Sequence, residues 1–291
     1  MARFAAVATR VASIPSQKVR GSMLKPIAVM LSLAYGKGAR HTLDICRPKN
    51  AAGAPVVVFF YGGGWRSGRK RPYRYVAKAL ARSGYVAVVP DYRVYPEARF
   101  PDFLDDGARA VRWVRDNITR YGGDPGKLFL MGHSAGAYIA AMLAVDARWL
   151  DKVGLVPGRD ICGLIGIAGP YDFLPLRDEI YKIIFGGGNL TDTQPIQHVT
   201  PGAPPALLLT GDRDRVVDAG NSSRFAARLR ASGNDAAVVT YPRVGHFLIV
   251  AVLAPLLQFL VPVLRDAKAF MNRTMQVPSS SRAAAMTTPQ A

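Results

Sequence analysis

Along the chain, short apolar runs alternate with longer amphipathic ones. "HTLDICRP" (41–48) alternates with period two, as a half-buried strand does, whereas "PVVVFF" (55–60), "YVAVVP" (85–90) and "KLFLMG" (127–132) are continuous apolar runs. "ICGLIGIAG" (161–169), "PALLLTG" (205–211) and "DAAVVTYP" (235–242) predict three further strands. Between them, 74–84, 103–122, 135–150 and 219–233 carry apolar residues at helical spacing, with Gly84 and Gly122 placed as helix stops. Apolar strands alternating with helices predict an α/β fold, a mostly parallel central sheet with helices on both faces. "FLIVAVLAPLLQFLVPVL" (247–264) has the minimum length of a membrane span, but Pro255 and Pro262 interrupt it. A buried core helix is the expectation there; a lid or a lipid-facing surface is the alternative.

No repeat or long linker divides this pattern, so one catalytic domain is expected over 37–272. Residues 1–36 read as a basic amphipathic extension and 273–291 as a disordered tail too poor in apolar residues to pack. The chain of 291 residues carries 38 Lys and Arg against 20 Asp and Glu, a net charge of +18. That excess suits a phosphate-bearing partner or an anionic lipid surface, and it is uneven: Met1 to Leu43 holds no acidic residue. No nucleic-acid-binding module accompanies the charge, so no nucleic-acid partner is expected. Peripheral membrane contact through the basic leader and the 247–264 segment is the reading that uses it, in a protein expected in the cytoplasm. Cys46 and Cys162 have neither disulfide-framework nor metal-ligand spacing and read as small buried hydrophobes.

The chemistry concentrates at "GHSAG" (132–136), which directly follows one predicted strand and opens a predicted helix. A sharp strand-to-helix turn of this kind exposes the hydroxyl of Ser134, and the helix start offers the amide of Ala135 to a developing oxyanion. A serine needs a base, and the chain has four histidines. His133 is adjacent to Ser134 and faces the wrong way, His41 opens a strand and His198 lies in a polar insert. His246, just after the last predicted strand, is therefore the candidate base. "LLLTGDRDRVVD" ends a strand with Asp212, Asp214 and Asp218. Asp218 reads as a helix N-cap and Asp212 as a brace of the turn, which leaves Asp214 to orient the imidazole. "FFYGGGWRSG" (59–68) follows a strand with three glycines, the backbone a second oxyanion element requires. Gly186 to Gly188, with no clear strand before it, reads as a plain loop. Arg66, Arg69, Lys70, Arg71 and Arg74 beside the first triplet read as a solvated face, with attraction of anionic substrates as the alternative.

The pieces "LDICRP", "FFYGGGW", "DYRVYPEARFPDFLDD", "YGGDPGKLFLMGHSAGAYIAA", "GDRDRVV" and "GH", spread over about 37–250, resemble the α/β-hydrolase superfamily. The similarity is to the small carboxylesterases related to hormone-sensitive lipase, kynurenine formamidase and prenylcysteine methylesterase. The resemblance implies a triad of Ser134, Asp214 and His246, oxyanion amides from Gly63, Gly64 and Ala135, and no metal or organic cofactor. It implies a small-molecule ester as substrate, with a formamidase-like amide or a prenylcysteine methyl ester as the nearest alternatives. A noncatalytic scaffold is the reading from another class. One departure stands out: the family usually has histidine before the glycine triplet, and this chain has Tyr61, which is expected to change how the loop is supported.

Overall fold

The computed structural model describes residues 25–186 and 190–276. Eight strands form one sheet: β1 (Ile27–Ala34), β2 (Thr42–Pro48), β3 (Ala54–Phe60), β4 (Val86–Pro90), β5 (Gly123–His133), β6 (Gly163–Ile167), β7 (Ala206–Gly211) and β8 (Ala236–Tyr241). Their order across the sheet is β1-β2-β4-β3-β5-β6-β7-β8. β1 and β2 run antiparallel to their neighbours, and every pairing from β4 to β8 is parallel. The helices are α1 (Arg74–Arg82), α2 (Asp102–Asn117), α3 (Ala135–Val145), α4 (Ala147–Asp151), α5 (Pro157–Asp160), α6 (Glu179–Phe185), α7 (Gly220–Ala231), α8 (Leu248–Ala251) and α9 (Val263–Gln276).

The strand order decides where the helices lie. From β3 the chain moves one way to β4 through α1; from β5 it moves the other way to β6 through α3. Right-handed crossovers then put α1 and α3 on opposite faces of the sheet. The reversal falls between the adjacent strands β3 and β5, whose pairing runs to Phe60 opposite Gly132. Outside the carboxyl ends of two such strands an open α/β sheet leaves a crevice. Both the glycine triplet and Ser134 follow directly from those two ends.

Three elements differ from the sequence expectation. β1 lies within residues 1–36, the stretch that reads as an extension, so the sheet starts at Ile27. As an edge strand with only one hydrogen-bonded neighbour it is half-exposed, and its basic flanks obscured it. The helix expected over 135–150 breaks at Asp146, whose carboxylate accepts the Arg148 amide at 3.2 Å and starts α4. The core helix expected within 247–264 does not form. α8 has four residues, a run of turns follows to Leu260, and the true C-terminal helix, α9, begins after Pro262 and extends beyond residue 272. Residues 1–24 of the leader, 187–189 of the second glycine triplet and 277–291 of the tail lie outside the described residues. Cys46 and Cys162 are both free and buried, and burial pushes the Cys46 thiol up to about 11.

Candidate active site

Ser134 has φ 55° and ψ −124°, a left-handed conformation that L side chains adopt only under constraint. The constraint is visible in its neighbours. A Cβ on Gly132 would lie 2.2 Å from the Gly136 carbonyl oxygen, and one on Gly136 would lie 2.1 Å from that of Phe60. Only glycine permits this turn to pack against the end of β3. The Ser134 amide donates to the Ile167 carbonyl at 2.9 Å, and its own carbonyl accepts the amides of Ala137 and Tyr138, so the turn is held from both sides.

The Ser134 hydroxyl lies 2.9 Å from His246 Nε2, and His246 Nδ1 lies 2.7 Å from Asp214 Oδ2. The other carboxylate oxygen of Asp214 accepts the amides of Val216 and Val217, each at 2.9 Å. Burial alone would raise the Asp214 pKa; the hydrogen bonds from His246 and from the two amides outweigh it and hold the carboxyl below its usual range. Asp214 is thereby kept as an anion facing the imidazole. The two neighbouring carboxylates do other work. Asp212 accepts the Arg243 amide at 2.6 Å and ties the turn after β7 to the one after β8. Asp218 accepts the Gly220 amide at 3.0 Å at the start of α7.

His133 is not idle. Its ring lies 4.8 Å from that of His246, and its Nε2–H donates to the His246 carbonyl at 3.0 Å. Burial, reinforced by the neighbouring His246, pushes the His133 pKa down to about 3, so the ring is neutral, and its Nδ1 has no partner among the described residues. Sequence spacing excluded His133 as the base without revealing this contact, which joins residues 113 apart. The other two histidines lie in unrelated networks: His41 Nε2 is 3.0 Å from Asp106 Oδ1, and His198 donates to the Asp192 carbonyl at 2.7 Å.

The glycine triplet closes over the serine. A Cβ on Gly62 would lie 3.0 Å from that of Ser134, and one on Gly63 would lie 2.2 Å from the Ser67 carbonyl oxygen. Gly63 has its own carbonyl turned away to accept the amides of Arg66 and Ser67. Tyr61 supports this loop from below. Its hydroxyl donates to Asp91 Oδ1 at 2.9 Å, and its ring stacks on Tyr92 at 4.6 Å and on Tyr73 at 5.6 Å. Asp91 also accepts the Lys70 amide at 2.6 Å and the Lys70 ammonium at 2.9 Å, so one carboxylate grips both ends of the loop. Lys70 is thus buried and paired, and Arg74 donates to Asp44 at 2.7 Å. Of the five cations read as a solvated face, Lys70 therefore belongs to the interior, and Arg74, partly exposed, is tied to a buried carboxylate.

A cavity of about 700 Å³ opens above the serine, lined by Gly63, Gly64, Ser134 and His246. Trp65, Phe173 and Tyr181 form one wall, with Trp65 stacked on Phe173 at 5.9 Å and edge-on to Tyr181 at 5.8 Å. Phe173 lies in "IAGPYDFLPL" (167–176), where no local signal marks it as a wall facing Trp65, 108 positions away. The cavity's Arg224 is neutralised by Asp172 at 2.6 Å and Asp218 at 3.2 Å. Among the described residues, no group of three or more His, Cys, Asp or Glu side chains is arranged to hold a metal ion.

Comparison with known proteins agrees with this architecture. The BD-FAE family profile matches residues 43–229, and the prolyl oligopeptidase family profile matches residues 187–272. The chain is 31% identical over 242 residues to a protein described as a probable isoprenylcysteine alpha-carbonyl methylesterase, ICMEL1, of Arabidopsis thaliana, covering 75% of this chain and 51% of that protein. It is 32% identical over 233 residues to Esterase LipC of Mycobacterium tuberculosis, covering 73% of this chain and 58% of that one. The chain thus spans little more than half the length of these curated relatives. Among solved structures, a truncated carbohydrate esterase from gut microbiota superposes with TM-score 0.75 at 20% identity, covering 86% of this chain and 97% of that one. The apo form of Thermogutta terrifontis esterase 2 superposes with TM-score 0.64 at 25% identity, covering 74% and 84%.

Proposed function

The chain belongs to the BD-FAE family, within the α/β-hydrolase carboxylesterases, and from that membership we propose that it is a serine carboxylesterase acting on small to medium acyl esters. The observation that carries the reading is the unbroken hydrogen-bond chain Asp214–His246–Ser134, with links of 2.7 and 2.9 Å, at the floor of an open cavity. Ser134 Oγ attacks the ester carbonyl while His246 Nε2 takes its proton, and Asp214 stabilises the imidazolium that forms. The amides of Gly63, Gly64 and Ala135 receive the charge that moves onto the carbonyl oxygen. Collapse of the intermediate breaks the ester C–O bond, and His246 returns the proton to the departing alcohol. Water, deprotonated by the same imidazole, then releases the acid and restores Ser134.

A second reading within the same chemistry is hydrolysis of a prenylcysteine methyl ester. It is favoured by the methylesterase relatives and by the aromatic wall of Trp65, Phe173 and Tyr181, which suits a long apolar substituent. The reading extends to peripheral membrane contact through the 247–264 segment, supported by the exposure of Phe247, Leu256 and Phe259. No helix among the described residues is long and apolar enough to cross a membrane.

The test is hydrolysis of p-nitrophenyl esters from acetate to palmitate by the wild type and by Ser134→Ala. Turnover with a chain-length optimum, lost in the variant, is expected. Absence of turnover on every ester and on a prenylcysteine methyl ester would overturn the reading in favour of a noncatalytic scaffold.

A further inference from the structure

Folded chains rarely leave large apolar side chains exposed together, because each keeps ordered water that burial would release. Here Phe247 is 72% exposed, Leu256 85%, Phe259 82% and Leu260 52%, all within one stretch of fourteen residues. The stretch is anchored rather than loose. Tyr75 donates its hydroxyl to the Val250 carbonyl at 3.1 Å, Gln258 donates to the Leu253 carbonyl at 2.9 Å, and Val252 and Leu253 are buried. The anchoring turns the inward residues into the core and leaves the others facing solvent.

Two further observations say what this face fits. First, Phe259 borders a groove of about 660 Å³ shared with Ser83, Pro262, Arg265 and Lys268, and no acidic residue lines it. The adjacent Asp266 accepts from the Tyr241 hydroxyl at 2.9 Å and pairs with Arg265 at 3.1 Å, a pair in which the Arg265 side chain stays 77% exposed, while Lys268 has no carboxylate partner among the described residues. Exposed apolar side chains next to cations match an anionic bilayer, whose acyl layer takes the former and whose headgroups take the latter. Second, the ridge starts at the active-site cavity: Phe247 lines that cavity and its ring meets the His246 ring edge-on at 5.3 Å.

We propose that the Phe247–Leu260 segment is a docking surface for an anionic lipid bilayer, with Leu256, Phe259 and Leu260 entering the acyl layer and Arg265 and Lys268 meeting the headgroups. This deepens the esterase reading, and rests on it only in giving the docked cavity mouth a use, the delivery of lipid-soluble esters.

The experiment is sedimentation of the full chain with vesicles of equal parts phosphatidylcholine and phosphatidylserine, and with phosphatidylcholine alone. The wild type should partition onto the mixed vesicles, and the combined variant Leu256→Ser, Phe259→Ser, Leu260→Ser should lose about tenfold or more in partition coefficient. Arg265→Gln with Lys268→Gln should weaken binding to the mixed vesicles and leave binding to phosphatidylcholine alone unchanged. Wild type left in the supernatant, or a serine variant that binds as the wild type does, would overturn the proposal. So would a wild-type dimer by light scattering that the serine variant dissolves, which would make the face a protein interface. Hydrolysis of water-soluble p-nitrophenyl acetate should be the same in all variants. Its absence would refute the esterase while leaving the vesicle result readable.

Discussion

Two stretches of this chain are almost equally apolar and have opposite fates. Residues 135–145, "AGAYIAAMLAV", form α3, buried along its whole length between the sheet and α2. Residues 247–260, "FLIVAVLAPLLQFL", form one helical turn and then expose half of their largest side chains. Hydrophobicity does not separate them. What separates them is backbone continuity and the room above the sheet. The first stretch is rich in alanine and glycine and fits closely against β5 and β6, whereas Pro255 denies the second an uninterrupted hydrogen-bond ladder. The contrast also divides the labour at the site: the rigid stretch aims Ser134, and the irregular one follows His246 and borders the cavity.

The largest effect should come from breaking the fit of α3. In Gly136→Ala the new methyl group would overlap the Phe60 and Tyr61 carbonyl oxygens, backbone atoms that cannot step aside. We expect no folded protein, or a loss of at least about 3 kcal/mol in denaturant unfolding. Ser134→Ala touches the same turn without crowding it. Esterase turnover should fall at least about a thousandfold while the unfolding free energy stays within about 0.5 kcal/mol of wild type. The comparison itself is sharpened by one pair of leucines. Leu143→Ala in α3 empties a fully buried site and should cost about 2–5 kcal/mol, while Leu256→Ala should cost less than about 0.5 kcal/mol. Equal costs would mean that the exposed stretch is packed in solution.

A pH-dependent effect follows from His133 at the foot of α3. The folded protein holds this ring neutral down to about pH 3, whereas the unfolded chain takes up a proton below about pH 6.5. Stability should therefore be unaffected by His133 above about pH 6.5 and fall on acidification below it, with a slope of up to about 1.4 kcal/mol per pH unit. Asp214, whose folded pKa is lowered, contributes stability that is present above about pH 4 and is lost only as pH falls further. Denaturant unfolding from about pH 7 to 4 should show the His133 slope in the wild type and a flatter profile in His133→Asn.

The parts of the molecule legible in sequence are those whose signal is local. Continuous apolar runs mark β3 to β7, because a buried parallel strand has no polar face to disguise it; β8, an edge strand, is only half-buried but keeps the apolar run "DAAVVTYP". β1, "IAVMLSLA", is as apolar as those runs and escaped because it sits in an acid-free stretch, flanked by Lys25 and Lys37, that reads as one basic extension. α9 escaped because the apolar run before it drew the helix boundary to the wrong side of Pro262. Ser134, Asp214 and His246 stand out through the ends of three strands and their chain order, and the structure brings Ser134 and Asp214 each within hydrogen-bond distance of His246. The clamp of Asp91 on Tyr61 and Lys70, the His133 bond to the His246 carbonyl and the Phe173 wall carry no local mark. They arise because the parallel sheet delivers segments distant in sequence to one edge.

The most direct test of the claim that Ser134 is an activated nucleophile is covalent trapping. The protein would be treated with a dialkyl p-nitrophenyl phosphate, and both the released p-nitrophenolate and the peptide masses after digestion would be measured. We expect one equivalent of p-nitrophenolate and a single dialkylphosphoryl group on the peptide containing Ser134, both absent in Ser134→Ala. An unmodified Ser134, or an adduct on another residue that persists in the variant, would contradict it.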